Sequence, residues 1–161
     1  MDKQNTSGGA WLHTWDSLTL FSPADYSSLP GLIMPNSENK FPTKKEVIHY
    51  LGQYEQYYQL NVKRNSEVVE IKKNGDFFQV HTQESFFKTK TVISATGTWG
   101  NPFIPNLKGI ENYKGVQIHS SKYKNPEDFN GLKTLVVGEG NSGAQIVAEV
   151  SKNTTVKLSL I

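Results

Sequence analysis

Three glycines near the carboxyl end of the chain have the spacing of a dinucleotide-binding turn. Gly138, Gly140 and Gly143 satisfy the pattern G-x-G-x-x-G. In such turns the first glycine permits a tight bend, the second lets the backbone approach a pyrophosphate, and the third lets a helix pack closely on a strand. Because the pattern is short and glycine is common, its interpretation depends on the elements around it.

The sequence around these glycines predicts a strand, a turn, a helix and a second strand. The apolar run Leu135–Val137 leads directly into the first glycine. A helix is expected to open near Ser142 and to continue through Ala144–Val150, and Thr155–Ile161 is typical of a strand. This βαβ order predicts parallel strands with a right-handed crossover. The N–H groups of Asn141 and Ser142 would then face an anion at the helix start.

The stretch after the turn favours NADPH over NADH. In NADH sites an acidic residue usually follows the first glycine by about 20 residues and binds the ribose hydroxyls. The corresponding stretch, residues 156–161, contains no acid and one lysine, Lys157. We therefore expect NADPH, because an acid would repel its 2′-phosphate.

The first half of the chain predicts loops followed by one helix. Residues 1–42 are rich in glycine, serine, proline and aromatic residues, which is typical of ordered loops with a short helical turn. Thr43 and Glu46 have the spacing of a capping box, and apolar residues recur after them at intervals of three and four. We therefore predict an amphipathic helix of about four turns starting at Thr43.

A small antiparallel meander is predicted next. Glu67–Ile71 and Phe77–His81 are rich in β-forming residues and flank the hairpin signal Asn74-Gly75. Phe86-Phe87 leads into a fourth run, Thr91–Ala95, which we expect to be a buried strand. Prolines then exclude long regular elements between residues 96 and 129, where a crossover between two structural units is expected.

Composition excludes several classes of function. The 161 residues include 17 basic and 15 acidic residues, a net charge of +2 that gives no reason to expect nucleic-acid binding. No apolar run approaches the ~18 residues of a membrane span. The absence of cysteine excludes a disulfide framework, a thiolate metal site and a redox dithiol from these residues, and fits a cytoplasmic location. The histidines have no metal-site spacing, so no metal is expected.

Four stretches, in order along the chain, resemble the flavin-containing monooxygenases and their bacterial relatives. Asp2–Trp11 is similar to the segment that follows that family's FAD fingerprint, and Ser94–Gly97 to its A-T-G hinge. Tyr113–Tyr123 resembles the signature F-x-G-x-x-x-H-x-x-x-W with a terminal tyrosine, and Val136–Ala144 resembles the NADPH turn. Within the family, the sequence of the first 23 residues resembles most the bacterial members encoded in arsenic-resistance operons.

The resemblance implies an α/β flavoprotein fold with two dinucleotide-binding domains, namely a Rossmann-like parallel sheet plus a small antiparallel meander. Residues 1–95 would be a partial FAD-binding domain lacking its first βα unit. Residues 96–161 would be the hinge and the start of an NADPH-binding Rossmann domain. Because no G-x-G-x-x-G precedes Asp2, the fold is expected to be incomplete at both ends and the chain to be an internal fragment or truncated product.

The same resemblance assigns candidate site residues. Those expected to bind FAD or NADPH are Asp2, Gly9, Trp11, Gly138, Gly140, Asn141, Ser142 and Gly143. Those expected to couple the two domains are Ala95, Thr96, Gly97, Gly115, His119 and Tyr123. No general acid or base can be named.

Some candidates also have a simpler interpretation. Trp11, Trp15 and Phe21 would line a flavin pocket or serve as core aromatics. As the sequence stands, Asp2 is expected to be a charged and frayed terminal residue.

The activity implied by the resemblance is monooxygenation. NADPH would reduce FAD, and reduced FAD would activate O2 to oxygenate a small-molecule substrate. Phe21 occupies the place of an asparagine that assists this step in eukaryotic members, so that role is not carried over. Two alternatives stay open: an NAD(P)H-dependent flavoprotein reductase without oxygenation, and a non-catalytic fragment. A homodimer or a complementary partner chain is a further expectation.

Overall fold

The computed structural model describes residues 1–159, which fall into two compact units. Unit 1 consists of Met1–His13 and Leu18–Gly100, and unit 2 consists of Thr14–Ser17 and the residues from Asn101 onward. The short segment Thr14–Ser17 is therefore flanked in sequence by unit 1 but packs within unit 2. The assignment of FAD and NADPH domains to these parts of the chain stays a prediction.

Unit 1 is organised around helix α1, Lys44–Tyr57. Thr43 caps its first turn: the Thr43 side chain accepts from the Glu46 N–H, and the Glu46 carboxylate accepts from the Thr43 N–H at 2.7 Å. The capping box predicted from the sequence is thus confirmed. The apolar face of the helix contributes Val47 and Tyr50 to a core that includes Met34.

Tyrosines on α1 hold the loop that crosses the helix. The Tyr50 hydroxyl accepts from the Leu29 N–H at 2.6 Å and donates to the Leu32 carbonyl at 2.8 Å. One turn later, the Tyr54 hydroxyl donates to the Pro30 carbonyl at 3.0 Å. Backbone groups that no helix or sheet would satisfy are therefore paired with side chains spaced four residues apart.

The predicted meander is confirmed for its first three strands. Strands β1 (Val68–Asn74), β2 (Phe77–Thr82) and β3 (Phe86–Thr89) form an antiparallel sheet in that order. Asn74 pairs with Phe77, and Gly75 takes a φ of +60° in the turn between them. Glycine adopts this conformation without steric cost, which is why the hairpin closes there.

The prediction of a fourth, buried strand at Thr91–Ala95 is wrong. These residues belong to no strand, and the Ile93 side chain is 87% exposed. The run has the composition of a strand, but a strand needs a neighbour for its N–H and C=O groups. Among residues 1–159, no segment pairs with it as a strand.

Unit 2 contains the predicted βαβ unit. Strand β4 (Thr134–Val137) leads into helix α2 (Asn141–Val150), and strand β5 (Val156–Ser159) returns parallel to β4. Between residues 101 and 133 the structure has only short 3-10 turns, as the prolines predicted. Residues 160 and 161, the end of the predicted second strand, lie outside the described part. Within residues 1–159 no helix has both the length and the apolar character needed to cross a bilayer.

The capping box makes stability depend on pH. Hydrogen bonds from Thr43, then from Ser37, lower the pKa of Glu46. A carboxyl whose pKa is lower in the folded state stabilises the fold above its unfolded pKa of about 4.3, and this contribution is lost as pH falls through the lower folded value. We expect Glu46→Gln, which keeps the box geometry but not the charge, to be less stable than the wild type by about 0.5 kcal/mol at neutral pH.

Urea unfolding of both proteins between pH 2 and pH 7 measures this dependence. The difference between them should shrink below about pH 4. Glu84→Gln, on the exposed loop after β2, is the control. A difference that is constant with pH would show that the charge of Glu46 plays no part.

Candidate functional site

The turn between β4 and α2 has a backbone conformation that favours glycine. Gly138 takes a φ of +125° directly after β4. Its N–H donates to the Ser159 carbonyl at 2.9 Å and so extends the pairing of β4 with β5. A residue with a β-carbon would be strained at this φ. The first glycine of the pattern therefore ends the strand and starts the turn.

The other two glycines differ in what surrounds them. A β-carbon at Gly143 would lie 2.8 Å from the Gly138 carbonyl oxygen, so the helix packs against the turn more closely than any side chain would allow. A β-carbon at Gly140 would have no heavy atom within 4 Å among its protein surroundings. The space in front of Gly140 is therefore open to a ligand, as close backbone approach to a pyrophosphate requires.

The start of helix α2 can accept an anion. Gly140 is the N-cap residue and provides no side-chain hydrogen bond to the first turn. The first intrahelical bond runs from the Ala144 N–H to the Gly140 carbonyl at 3.2 Å. The N–H groups of Asn141, Ser142 and Gly143 precede that bond and point toward the open end, where the helix dipole is positive. These groups fit the pyrophosphate of a dinucleotide.

Replacing each glycine by alanine should separate folding from ligand access. Gly143→Ala forces the new methyl group against backbone, so we expect a loss of about 1–3 kcal/mol in the free energy of unfolding. Gly140 has a φ of −74° and free space, so Gly140→Ala should change stability by less than about 0.5 kcal/mol. Urea unfolding of the two variants measures this contrast. Equal losses would mean that the turn is not packed as described.

The signature Tyr113–Tyr123 is a loop with a local role for its histidine. His119 Nδ1 accepts from the Ser121 N–H at 3.1 Å and so caps the 3-10 turn Ser120–Lys122. Gly115 lies under the Tyr113 ring, where a β-carbon would clash. These contacts within the loop explain why a histidine occurs at position 119 and a glycine at position 115. Their predicted role in coupling two domains stays a prediction.

Tyr123, the last residue of the signature, is a core residue of unit 2. Its side chain is 1% exposed, and its ring meets the Trp15 ring edge-on at 6.1 Å between centroids. Its hydroxyl donates to Glu149 Oε2 at 2.8 Å. Burial, followed by the nearby Glu149 carboxylate, raises the pKa of Tyr123. Because Trp15 is buried in this contact, it is a core aromatic of unit 2, whereas Phe21 is 71% exposed.

Glu149 has tertiary contacts in unit 2 that the sequence did not reveal. It lies in the last turn of α2 and accepts hydrogen bonds from both Tyr123 and Ser17. Ser17 is 132 positions away along the chain. A single acid at the end of a helix carries no sequence signal for such partners.

Asp2 is anchored, so the expectation of a frayed residue is wrong. Its carboxylate forms an ion pair with Arg64 and accepts from the Gln4 N–H at 3.0 Å. Its backbone N–H donates to the Lys63 carbonyl at 2.8 Å, and its carbonyl accepts from the Ser66 N–H at 2.9 Å. Arg64, which also pairs with Glu55 of α1, is a second residue that sequence reasoning missed.

The remaining candidates of unit 1 lie in loops or short turns. Gly9 takes a φ of +52°, and a β-carbon built on it would have no heavy atom of a non-neighbouring residue within 4 Å. Trp11 packs partly against the core of α1 and borders an open cavity of about 280 Å³ with Leu20 and Leu29. Residues 95–97 are exposed and outside any helix or strand. Among residues 1–159 no cluster of three or more metal-ligating side chains occurs.

Comparison with known proteins gives one family and a group of close relatives. Residues 7–160 match the family described as pyridine nucleotide-disulphide oxidoreductase. The chain is 39% identical to the CzcO-like oxidoreductase of Geobacillus kaustophilus, over 98% of this chain and 45% of that protein. The chain thus spans about half the length of the relatives it matches.

Solved structures agree with the fold. A flavin-containing monooxygenase from Stenotrophomonas maltophilia superposes with a TM-score of 0.96 at 43% identity, over 99% of this chain and 49% of that one. A complex of the protein OTEMO with FAD and NADP has the same fold at a TM-score of 0.72 and 23% identity, over 99% of this chain and 33% of that one. The predicted α/β flavoprotein fold is confirmed, whereas its division into an FAD-binding and an NADPH-binding domain stays a prediction.

Proposed function

The chain belongs to the pyridine nucleotide-disulphide oxidoreductase family, and on that premise we propose that it functions in an NADPH- and FAD-dependent monooxygenase. The observation that carries the proposal is the turn of unit 2. There the first turn of α2 has no capping side chain and faces open space at Gly140. This is an arrangement that binds pyrophosphate. The likeness to a flavin-containing monooxygenase supports the oxygenating activity.

The chain's composition argues against disulfide reduction by its own residues. The 161 residues contain no cysteine, and a redox dithiol needs two. The reading of Tyr113–Tyr123 as a monooxygenase signature also favours oxygenation. A flavoprotein reductase without oxygenation is the alternative that the experiment below separates.

Each unit has its own proposed binding role. In unit 2 the N–H groups of Asn141, Ser142 and Gly143 would hold the pyrophosphate of NADPH. In unit 1 Asp2 would bind the ribose of FAD, with Gly9 and Trp11 beside that cofactor. The ion pair with Arg64 fits this role because it fixes the direction of the Asp2 carboxylate while each oxygen keeps a free lone pair. The cofactors would supply hydride transfer and oxygen activation, and the chain would bind and orient them.

We also propose a substrate class, a cellular location and an assembly for the protein. The substrate would be a small molecule, with O2 as the co-substrate, and the protein would act in the cytoplasm. A homodimer or a complementary chain would complete the assembly. The narrower likeness to members from arsenic-resistance operons stays a prediction.

The test is to purify the chain and titrate it separately with FAD and NADP⁺. We expect saturable binding of both, and about a 10-fold weaker affinity for NADP⁺ in Gly140→Ala with unfolding unchanged. Gly100→Ala, at an exposed glycine outside the site where a β-carbon would meet the flexible tip of the Lys3 side chain, is a control for substitution of glycine itself. The proposal is contradicted if the folded chain binds neither nucleotide.

With both cofactors bound, the fate of the oxygen that is consumed identifies the reaction. NADPH oxidation coupled to oxygenation of an added thioether or amine supports the monooxygenase. NADPH oxidation in which all oxygen becomes hydrogen peroxide, whatever the substrate, supports the reductase.

A further inference from the structure

Helix α2 is held at both of its ends, by different interactions. At its start, Gly143 packs against the Gly138 carbonyl. At its other end, Glu149 accepts hydrogen bonds from Tyr123 and Ser17. We call Glu149, Tyr123 and Ser17 the carboxylate junction. It joins three separate segments of unit 2 through one side chain.

The junction has a buried side and an exposed side. Tyr123 is 1% exposed and is enclosed by the rings of Trp15 and Phe129, with centroids at 6.1 and 5.7 Å. Ser17 is exposed. A hydrogen bond to a carboxylate is stronger than a neutral one and stronger still away from water, so the Tyr123 bond contributes most.

The segment that carries Ser17 is fixed by other bonds as well. The Asp16 N–H donates to the Lys124 carbonyl at 3.0 Å, next to Tyr123, and the Trp15 side chain is 3% exposed. Glu149 therefore contacts two segments that are themselves well anchored. A helix tied to fixed neighbours at its last turn cannot pivot freely about its first turn.

The direction of α2 determines where its first N–H groups point. A helix of 10 residues is about 15 Å long, so a shift of 1.5 Å at its far end tilts the axis by roughly 6°. Anion binding by a helix start depends on the alignment of these N–H groups. The junction is thus placed to control binding from the opposite end of the helix.

We propose that Glu149 is a positioning residue that aligns the first turn of α2 for NADP(H), through its bonds to Tyr123 and Ser17. The role in NADP(H) binding rests on the proposed function. The role in ordering the first turn does not. The two can therefore be tested separately.

Amide hydrogen exchange at Ala144–Val147, the first amides of α2 that donate within the helix and so close its first turn, tests the ordering in the absence of any cofactor. In Glu149→Ala, exchange should be at least 5-fold faster at these amides than in the wild type, while exchange in β1 to β3 stays unchanged. Tyr123→Phe should have a smaller effect in the same direction. Glu149→Gln, which retains one acceptor and can donate to the Ser17 hydroxyl, should largely restore wild-type rates. The control is Glu111→Ala, an exposed acid of the same unit whose carboxylate accepts a hydrogen bond from the Asn112 side chain.

NADP⁺ titration of the same variants tests the positioning. We expect Glu149→Ala to bind NADP⁺ about 10-fold more weakly, Glu149→Gln within about 3-fold of the wild type, and Glu111→Ala unchanged, all under conditions where the variants are folded. Unchanged exchange at Ala144–Val147 in both Glu149→Ala and Tyr123→Phe overturns the inference, whether or not the wild type binds NADP⁺. Faster exchange with unchanged NADP⁺ affinity also overturns it, because Glu149 would then only stabilise the unit. A wild type that binds no NADP⁺ sinks the proposed function, while the exchange result still decides the ordering.

Discussion

The close contact between Gly143 and the Gly138 carbonyl oxygen is the constraint on which unit 2 depends. It brings the start of α2 against the end of β4, with room for no side chain between them. Because Gly138 takes a φ of +125°, the chain can turn within three residues from strand to helix. The turn leaves the N–H groups of Asn141 and Ser142 ahead of the first intrahelical bond and open to an anion.

The rest of unit 2 supports this contact from a distance. Strand β5 pairs with β4, and the hydrogen bond from the Gly138 N–H to the Ser159 carbonyl extends this pairing beyond the end of β4. At the far end of α2, the Glu149 carboxylate joins the helix to Tyr123, which packs on Trp15. The helix is therefore fixed by packing at its first turn and by polar bonds at its last turn. Unit 1 shows a comparable device, since Arg64 joins Asp2 to Glu55 of α1.

The sequence predicted those features that depend on neighbouring residues. The capping box of Thr43 and Glu46 spans three residues, and the hairpin at Gly75 is closed by its own turn. The G-x-G-x-x-G turn is likewise local, so its strand and helix were identified correctly. In each case the partners are close in the chain, and local geometry fixes the outcome.

Features that depend on distant partners were missed or predicted wrongly. Residues 91–95 have the composition of a strand but no pairing partner among residues 1–159. Arg64 reaches Asp2 across 62 positions, and Ser17 reaches Glu149 across 132. The tertiary fold decides which polar side chains pair, and no periodic pattern in the sequence indicates these pairs. This explains why the glycine turn was found from the sequence, whereas the partners of Glu149 and of Asp2 were not.

Amide NMR shifts during titration of the wild-type chain with NADP⁺ test most directly whether this glycine turn is the nucleotide site. We expect saturable shifts concentrated at Glu139–Ala144, with the largest at Gly140 and Asn141, because these N–H groups would receive the pyrophosphate. Shifts confined to unit 1, or no shift at Gly140 and Asn141 at saturating NADP⁺, would contradict the assignment.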